Sequence, residues 1–223
     1  MKNNILNLLL AASVIFFSIS FRIQAQEGET KETGDASLQR LIEGNNRYLS
    51  GNLKQKDFPK ERGEQVSGQK PYAIVLTCAD SRVPPEIIFD EDLGDIFVIR
   101  VAGNVIDDVT LGSVEYAAEH LNAPLLLIMG HTSCGAVKAT LDGGHFSKGI
   151  SSITKRIQHA VKQAKNQSED KKEQLTMAIK NNVVDQMIEC VKSSSIIKEL
   201  EHEGKLKIAG GIYDIHTGQV TLF

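Results

Sequence analysis

Apolar residues along this chain change their period from segment to segment, and each change marks an element. Leu38, Leu41, Ile42, Tyr48 and Leu49 recur near helical spacing and stop at Gly51, which predicts a first helix. Three continuous apolar runs, at 72–77, 96–101 and 124–129, have strand length and are rich in Ile, Val and Leu. Strands covered on both faces read this way. Between the second and third runs, Leu111, Val114, Ala117, Ala118 and Leu121 form one helical stripe over 109–121. A strand–helix–strand unit follows, and with it a mainly parallel α/β sheet with right-handed crossovers.

Further helices are expected from just after Cys134 to Leu141, where Asp142-Gly143-Gly144 breaks the pattern, and over about 152–165, 172–190 and 196–200. The apolar segments 206–213 and 219–223 flank His216-Thr217-Gly218 and read as a hairpin, which adds an antiparallel strand at the sheet edge. The segment 26–36 is rich in Glu, Thr and Gly without apolar periodicity and reads as a flexible leader. The polar stretch 52–70 separates the first helix from the first strand. That helix either embraces a partner subunit or packs on its own domain.

Length and composition narrow the class. At 223 residues and 41% hydrophobic, the chain supports one core, so 37–223 is expected to be a single domain. Residues 1–25 differ from the rest: Lys2 gives a basic start, 5–19 is mostly apolar, and Ile23-Gln24-Ala25 ends on a small residue. This reads as a secretory signal peptide cleaved after Ala25, with the periplasm as the expected compartment. The apolar run is shorter than the ~20 residues a membrane span needs, and Ser13, Ser18 and Ser20 interrupt it. No membrane span is expected once it is removed. The remaining chain carries 23 basic and 28 acidic residues, a net charge of −5, with no basic patch. Nucleic acid is therefore not an expected partner, because phosphate binding needs clustered Lys and Arg.

Candidate chemistry gathers at strand ends. Cys78 follows the first apolar run directly, while His131 and Cys134 follow the third across Gly130. In open parallel sheets, ligands collect beyond the carboxyl ends of strands. Two thiolates and an imidazole suit zinc, and three firm protein donors leave a position for water. No other Cys or His has convincing spacing for a fourth ligand. Cys190 lies in an apolar helical stretch and reads as a buried small hydrophobe.

Asp80 and Arg82 stand two and four residues after the first ligand. Two thiolates cancel the charge of the dication, so the metal pulls less on a bound water and needs help to bring its pKa from ~15.7 to about 7. Asp80 is placed to accept a hydrogen bond from the resulting hydroxide. The guanidinium fork of Arg82 would keep that carboxylate off the metal, and Asp80 becomes a ligand only in a closed state. In an extended segment, 80 and 82 would project to one side.

Cys78-Ala-Asp-Ser-Arg82 and His131-Thr-Ser-Cys134-Gly135, with the spacing between them, resemble the zinc signature of the β-class carbonic anhydrases, and the likeness runs from about Leu38 to the final hairpin. That resemblance implies reversible hydration of carbon dioxide to bicarbonate and a proton at Zn2+. It implies Cys78, His131 and Cys134 as ligands and Asp80 with Arg82 as a catalytic dyad. It also implies a four-stranded parallel sheet with an added edge strand, and a homodimer or homotetramer with the site at a subunit boundary. Gln69, Phe97, Tyr116 and Gly135 match the substrate-pocket positions of the plant-type branch. A second branch has a bicarbonate inhibition site that depends on a tryptophan, and this chain has no Trp. A carbon disulfide or carbonyl sulfide hydrolase on the same scaffold would need the same nucleophile. A non-catalytic zinc-binding assembly protein would have no use for Asp80 or Arg82.

Overall fold

The computed structural model describes residues 32–223. The expected signal peptide (1–25) and most of the expected leader lie outside them. α1 (Gly34–Ser50) starts on Thr33, whose hydroxyl accepts the Ala36 N–H at 3.2 Å, and ends at Gly51 in the left-handed conformation. It therefore begins inside the stretch read as leader (26–36). The threonine cap starts the helix one turn ahead of its apolar stripe.

One sheet holds β1 (Ala73–Thr77), β2 (Ile96–Arg100), β3 (Leu125–His131), β4 (Lys207–Tyr213) and β5 (Val220–Leu222) in the order β2-β1-β3-β4-β5. The first four are parallel and β5 runs antiparallel to β4, as the apolar runs and the terminal hairpin predict. Alternation along the central strands buries both faces. Ile74, Leu76, Leu126 and Ile128 share one cluster with Val114, Val183, Cys190 and Ile197, while Val75, Leu125, Leu127 and Met129 share another with Leu41, Ile88 and Phe89. Helices thus cover both sides: α4 (Asp108–Glu115), α7 (Lys171–Ser193) and α8 (Ser195–His202) on the first, α1 and the short α3 (Pro85–Ile88) on the second. α5 (Gly135–Asp142) and α6 (Lys148–Gln167) pack with α7 around a third cluster that includes Cys78 and Cys134.

α1 packs on its own domain. At Gly44 the helix comes so close to the loop after α3 that a Cβ would stand 1.8 Å from the Phe89 carbonyl oxygen. Charges lock the contact: Arg47 Nε meets Asp90 Oδ2 at 2.6 Å, and Arg40 Nη2 meets Asp95 Oδ2 at 2.7 Å. The Asp90 and Glu91 side chains are buried in this cluster, and desolvation pushes the Glu91 carboxyl above the ordinary carboxylate range.

Two differences from the sequence pattern are local. The polar stretch 52–70 contains α2 (Phe58–Glu64), capped by Asp57 and without a buried residue. No apolar stripe could announce such a helix. The helix expected over 109–121 is α-helical only to Glu115, and Tyr116–His120 continues as a wider π turn that keeps Ala117 and Ala118 buried.

Candidate metal centre

β1 and β3 are neighbours in the sheet, so their carboxyl ends stand side by side. Cys78 leaves β1 there, and His131 is the last residue of β3. The chain then turns through Ser133, at φ 60°, to bring Cys134 to the cap position of α5. The ligand atoms of Cys78, His131 and Cys134 lie within 4.8 Å of one another, and all three residues are buried. The two sulfurs are 4.0 Å apart. Tetrahedral zinc with bonds of about 2.3 Å needs sulfurs separated by roughly 3.8 Å, so the spacing fits the ion.

The imidazole supplies an independent test of fit. His131 Nδ1 lies 3.0 Å from the Thr132 carbonyl oxygen, which places the proton on that nitrogen. Nε2 is buried without a hydrogen-bond partner among the described residues. An unpartnered lone pair beside two sulfurs is costly as it stands and satisfied by a cation.

Fixed dipoles favour thiolate. The Cys78 thiol is pushed down, chiefly by the hydrogen bond it shares with Cys134, with burial opposing and the His131 side chain and the Gly103 and Asp80 backbone N–H groups assisting. Cys134 moves up by the same shared proton and by burial, although the Ala136 and Val137 amides of α5 pull it down. The two sulfurs are close enough to share one proton. A dication would take that proton's place.

Asp80 and Arg82 are joined by three hydrogen bonds. Arg82 Nε donates to Oδ1 at 2.9 Å, Nη2 to Oδ2 at 2.8 Å, and the backbone N–H to Oδ1 at 3.0 Å. This fork holds the Asp80 carboxyl well below the usual carboxylate range. The segment is a turn closed by Val83 N–H on Asp80 O, not the extended stretch expected, and the turn brings the two side chains together. Asp80 Oδ2 lies 3.9 Å from His131 Nε2, so the carboxylate faces the ligands while bonded to Arg82.

Sequence reasoning passed over Arg100, at the end of β2. Its Nη2 donates to Asp80 O at 2.6 Å and its Nε to Cys78 O at 3.3 Å, fixing the backbone that carries both functional side chains. A charged residue closing an otherwise apolar strand was the available signal.

The four expected pocket residues are placed differently. Gly135 opens α5 directly beside the site. Phe97 sits in β2 opposite Ile74, four residues short of Cys78 along the sheet, or about 13 Å of strand. Its ring lies 6.3 Å from that of Tyr116, which is 47% exposed. Gln69 is exposed in the loop before β1. The chain therefore gathers Phe97 and Tyr116 with each other, and Phe97 stands well away from the ligands of the same chain.

A parallel sheet with two cysteine sulfurs, an imidazole and a guanidinium-held carboxylate at its carboxyl edge defines an α/β protein with a candidate metal site of the carbonic anhydrase type, and the comparisons agree. The carbonic anhydrase family model matches residues 73–220. Carbonic anhydrase 2 of Mycobacterium tuberculosis is 36% identical over 196 residues, covering 84% of this chain and 91% of that one. Among solved structures, the Coccomyxa β-carbonic anhydrase in complex with acetazolamide is 25% identical with a TM-score of 0.68, covering 83% of this chain and 86% of its own. A structure from a report on two tetrameric β-carbonic anhydrases of Sordaria macrospora is likewise 25% identical, with a TM-score of 0.67 and coverage of 84% and 96%. The chain belongs to the carbonic anhydrase family, in its β class.

Proposed function

We propose that the protein catalyses the reversible hydration of carbon dioxide to bicarbonate and a proton at a zinc ion held by Cys78, His131 and Cys134. The observation that carries this reading is the buried Cys–His–Cys group with Asp80 facing it from an arginine fork. Bound zinc supplies a Lewis acid able to make water nucleophilic at neutral pH. The two sulfurs and His131 Nε2 would hold the ion, and the Thr132 carbonyl fixes the imidazole. Asp80 accepts a proton's hydrogen bond from the nucleophile and orients it, and Arg82 keeps that carboxylate aimed and ionised. Asp80 joins the ligands only when Arg82 lets go.

Gly135 lends a backbone donor to the substrate oxygens from its own protomer. Gln69, Phe97 and Tyr116 serve the metal centre of a second copy, in a homodimer or homotetramer. The distance of Phe97 from the ligands of its own chain, with Tyr116 beside it, supports this, as does the half-exposed edge strand β2. The segment 1–25 directs export to the periplasm, where bound zinc protects the two thiolates from oxidation. Metal analysis with stopped-flow carbon dioxide hydration tests the central claim. The purified protein should hold one zinc per chain and turn over, and Cys78→Ser should lose both properties together. A metal-free variant with undiminished hydration overturns the site.

A further inference from the structure

Behind Cys78, residues 101–106 make a tight excursion through two successive left-handed residues, Gly103 at φ 75° and Asn104 at φ 47°. The first position requires glycine, since a Cβ there would meet Ile157 Cδ1 at 2.7 Å and Ala136 Cβ at 3.1 Å. Asparagine tolerates the second better than most residues. The conformation aims one group at the metal centre: Gly103 N–H donates to Cys78 Sγ at 3.3 Å.

The excursion is held from α7 at two points, Gly103 and Ile106. Ile106 N–H donates to Gln186 Oε1 at 2.7 Å, Gln186 Nε2 donates to Asn182 Oδ1 at 3.1 Å, and Asn182 Nδ2 donates to the Gly103 carbonyl at 2.8 Å. Asn182 is fully buried and Gln186 is 2% exposed. Neither amide can flip. The chain begins at a backbone N–H, which only donates, and ends at a carbonyl, which only accepts, so every bond between them has one allowed direction. The two residues are one helical turn apart on α7 and share the face that meets the loop.

We propose that Asn182 and Gln186 are positioning residues for the metal centre: they lock the loop so that the Gly103 N–H stays on the Cys78 thiolate. That hydrogen bond draws electron density from the sulfur. Two thiolates neutralise a dication, and a donor on one of them restores part of its Lewis acidity. The inference rests on the metal reading above and extends the centre to two buried amides of α7.

The test uses the intact protein loaded with NMR-active cadmium. The Gly103 amide proton should show scalar coupling to the metal through the hydrogen-bonded sulfur. In Asn182→Ala that coupling is lost, the sulfur-to-metal charge-transfer band of the cobalt-loaded protein moves to longer wavelength, and metal affinity by chelator competition falls about tenfold, as for other outer partners of ligands. Gln186→Met, which spares the Asn182 bond to Gly103, gives smaller changes in the same direction. Bound cadmium without coupling in the unaltered protein overturns the proposal, even if Asn182→Ala fails to fold. So does a folded Asn182→Ala whose cobalt band is unmoved. Failure of the unaltered protein to bind cadmium at all would overturn the metal reading itself, an outcome distinct from metal bound without coupling.

Discussion

Asp80 owes its position to a turn, and that turn separates two jobs a carboxylate beside a metal could take. With Oδ1 and Oδ2 both engaged by Arg82, it can accept a hydrogen bond but not coordinate. Asp80→Asn should keep the metal and lower turnover by about a hundredfold or more, the scale of a lost proton acceptor. Metal analysis with stopped-flow kinetics reads both, and unchanged kinetics would make the pair ornamental. Arg82→Ala should release the carboxylate into the position otherwise left to water, and a crystal structure of the metal-loaded variant should then show an Asp80 oxygen there in place of the water. At this scale Cys78, His131, Cys134, Asp80 and Arg82 were legible because each stands where an apolar run stops. Arg100, Gly103, Asn182 and Gln186 were not. Their roles depend on contacts with segments up to 80 residues away in the chain.

Helices and strands were legible where an amphipathic stripe or a doubly buried run specified them, and their ends were set by caps. α4 starts on Asp107, whose carboxylate accepts the Thr110 N–H at 2.8 Å while the Thr110 hydroxyl accepts from the Asp107 N–H at 2.7 Å. The N–H and the hydroxyl of Thr110, both donating to Oδ1, hold the Asp107 carboxyl below its ordinary value. A group acidified by folding stabilises the protein above its unfolded pKa and loses that contribution as pH falls through the folded one. Asp107→Ala should therefore lower stability by about 1 kcal/mol at neutral pH. Urea unfolding at neutral and at strongly acidic pH checks this, because the difference should shrink in acid. α2, by contrast, was invisible to periodicity because it buries nothing.

For the whole molecule, the consequential arrangement is that Phe97 and Tyr116 sit together yet away from their own ligands. If they serve a second copy, mixing Cys78→Ser with Tyr116→Ala should restore activity above either parent, because the mixed dimer contains one complete site. Activity that stays at the average of the two would place the pocket within one protomer. The docking of α1 also belongs to this scale. The pattern left open whether the helix served a partner, and close approach at Gly44 with ion pairs to Asp90 and Asp95 ties it to its own domain.

Periodicity and residue type, both local properties, determined most of the elements, the parallel sense of the sheet and the presence of two thiols and an imidazole at strand ends. Strand order is not local. Direct pairing of β3 with β1 is what sets Cys78 beside His131 and Cys134, and only packing of both sheet faces selects it. The same holds for the amides of α7. A polar residue on a helix carries no mark of whether it will face water or a buried loop until the helix is docked.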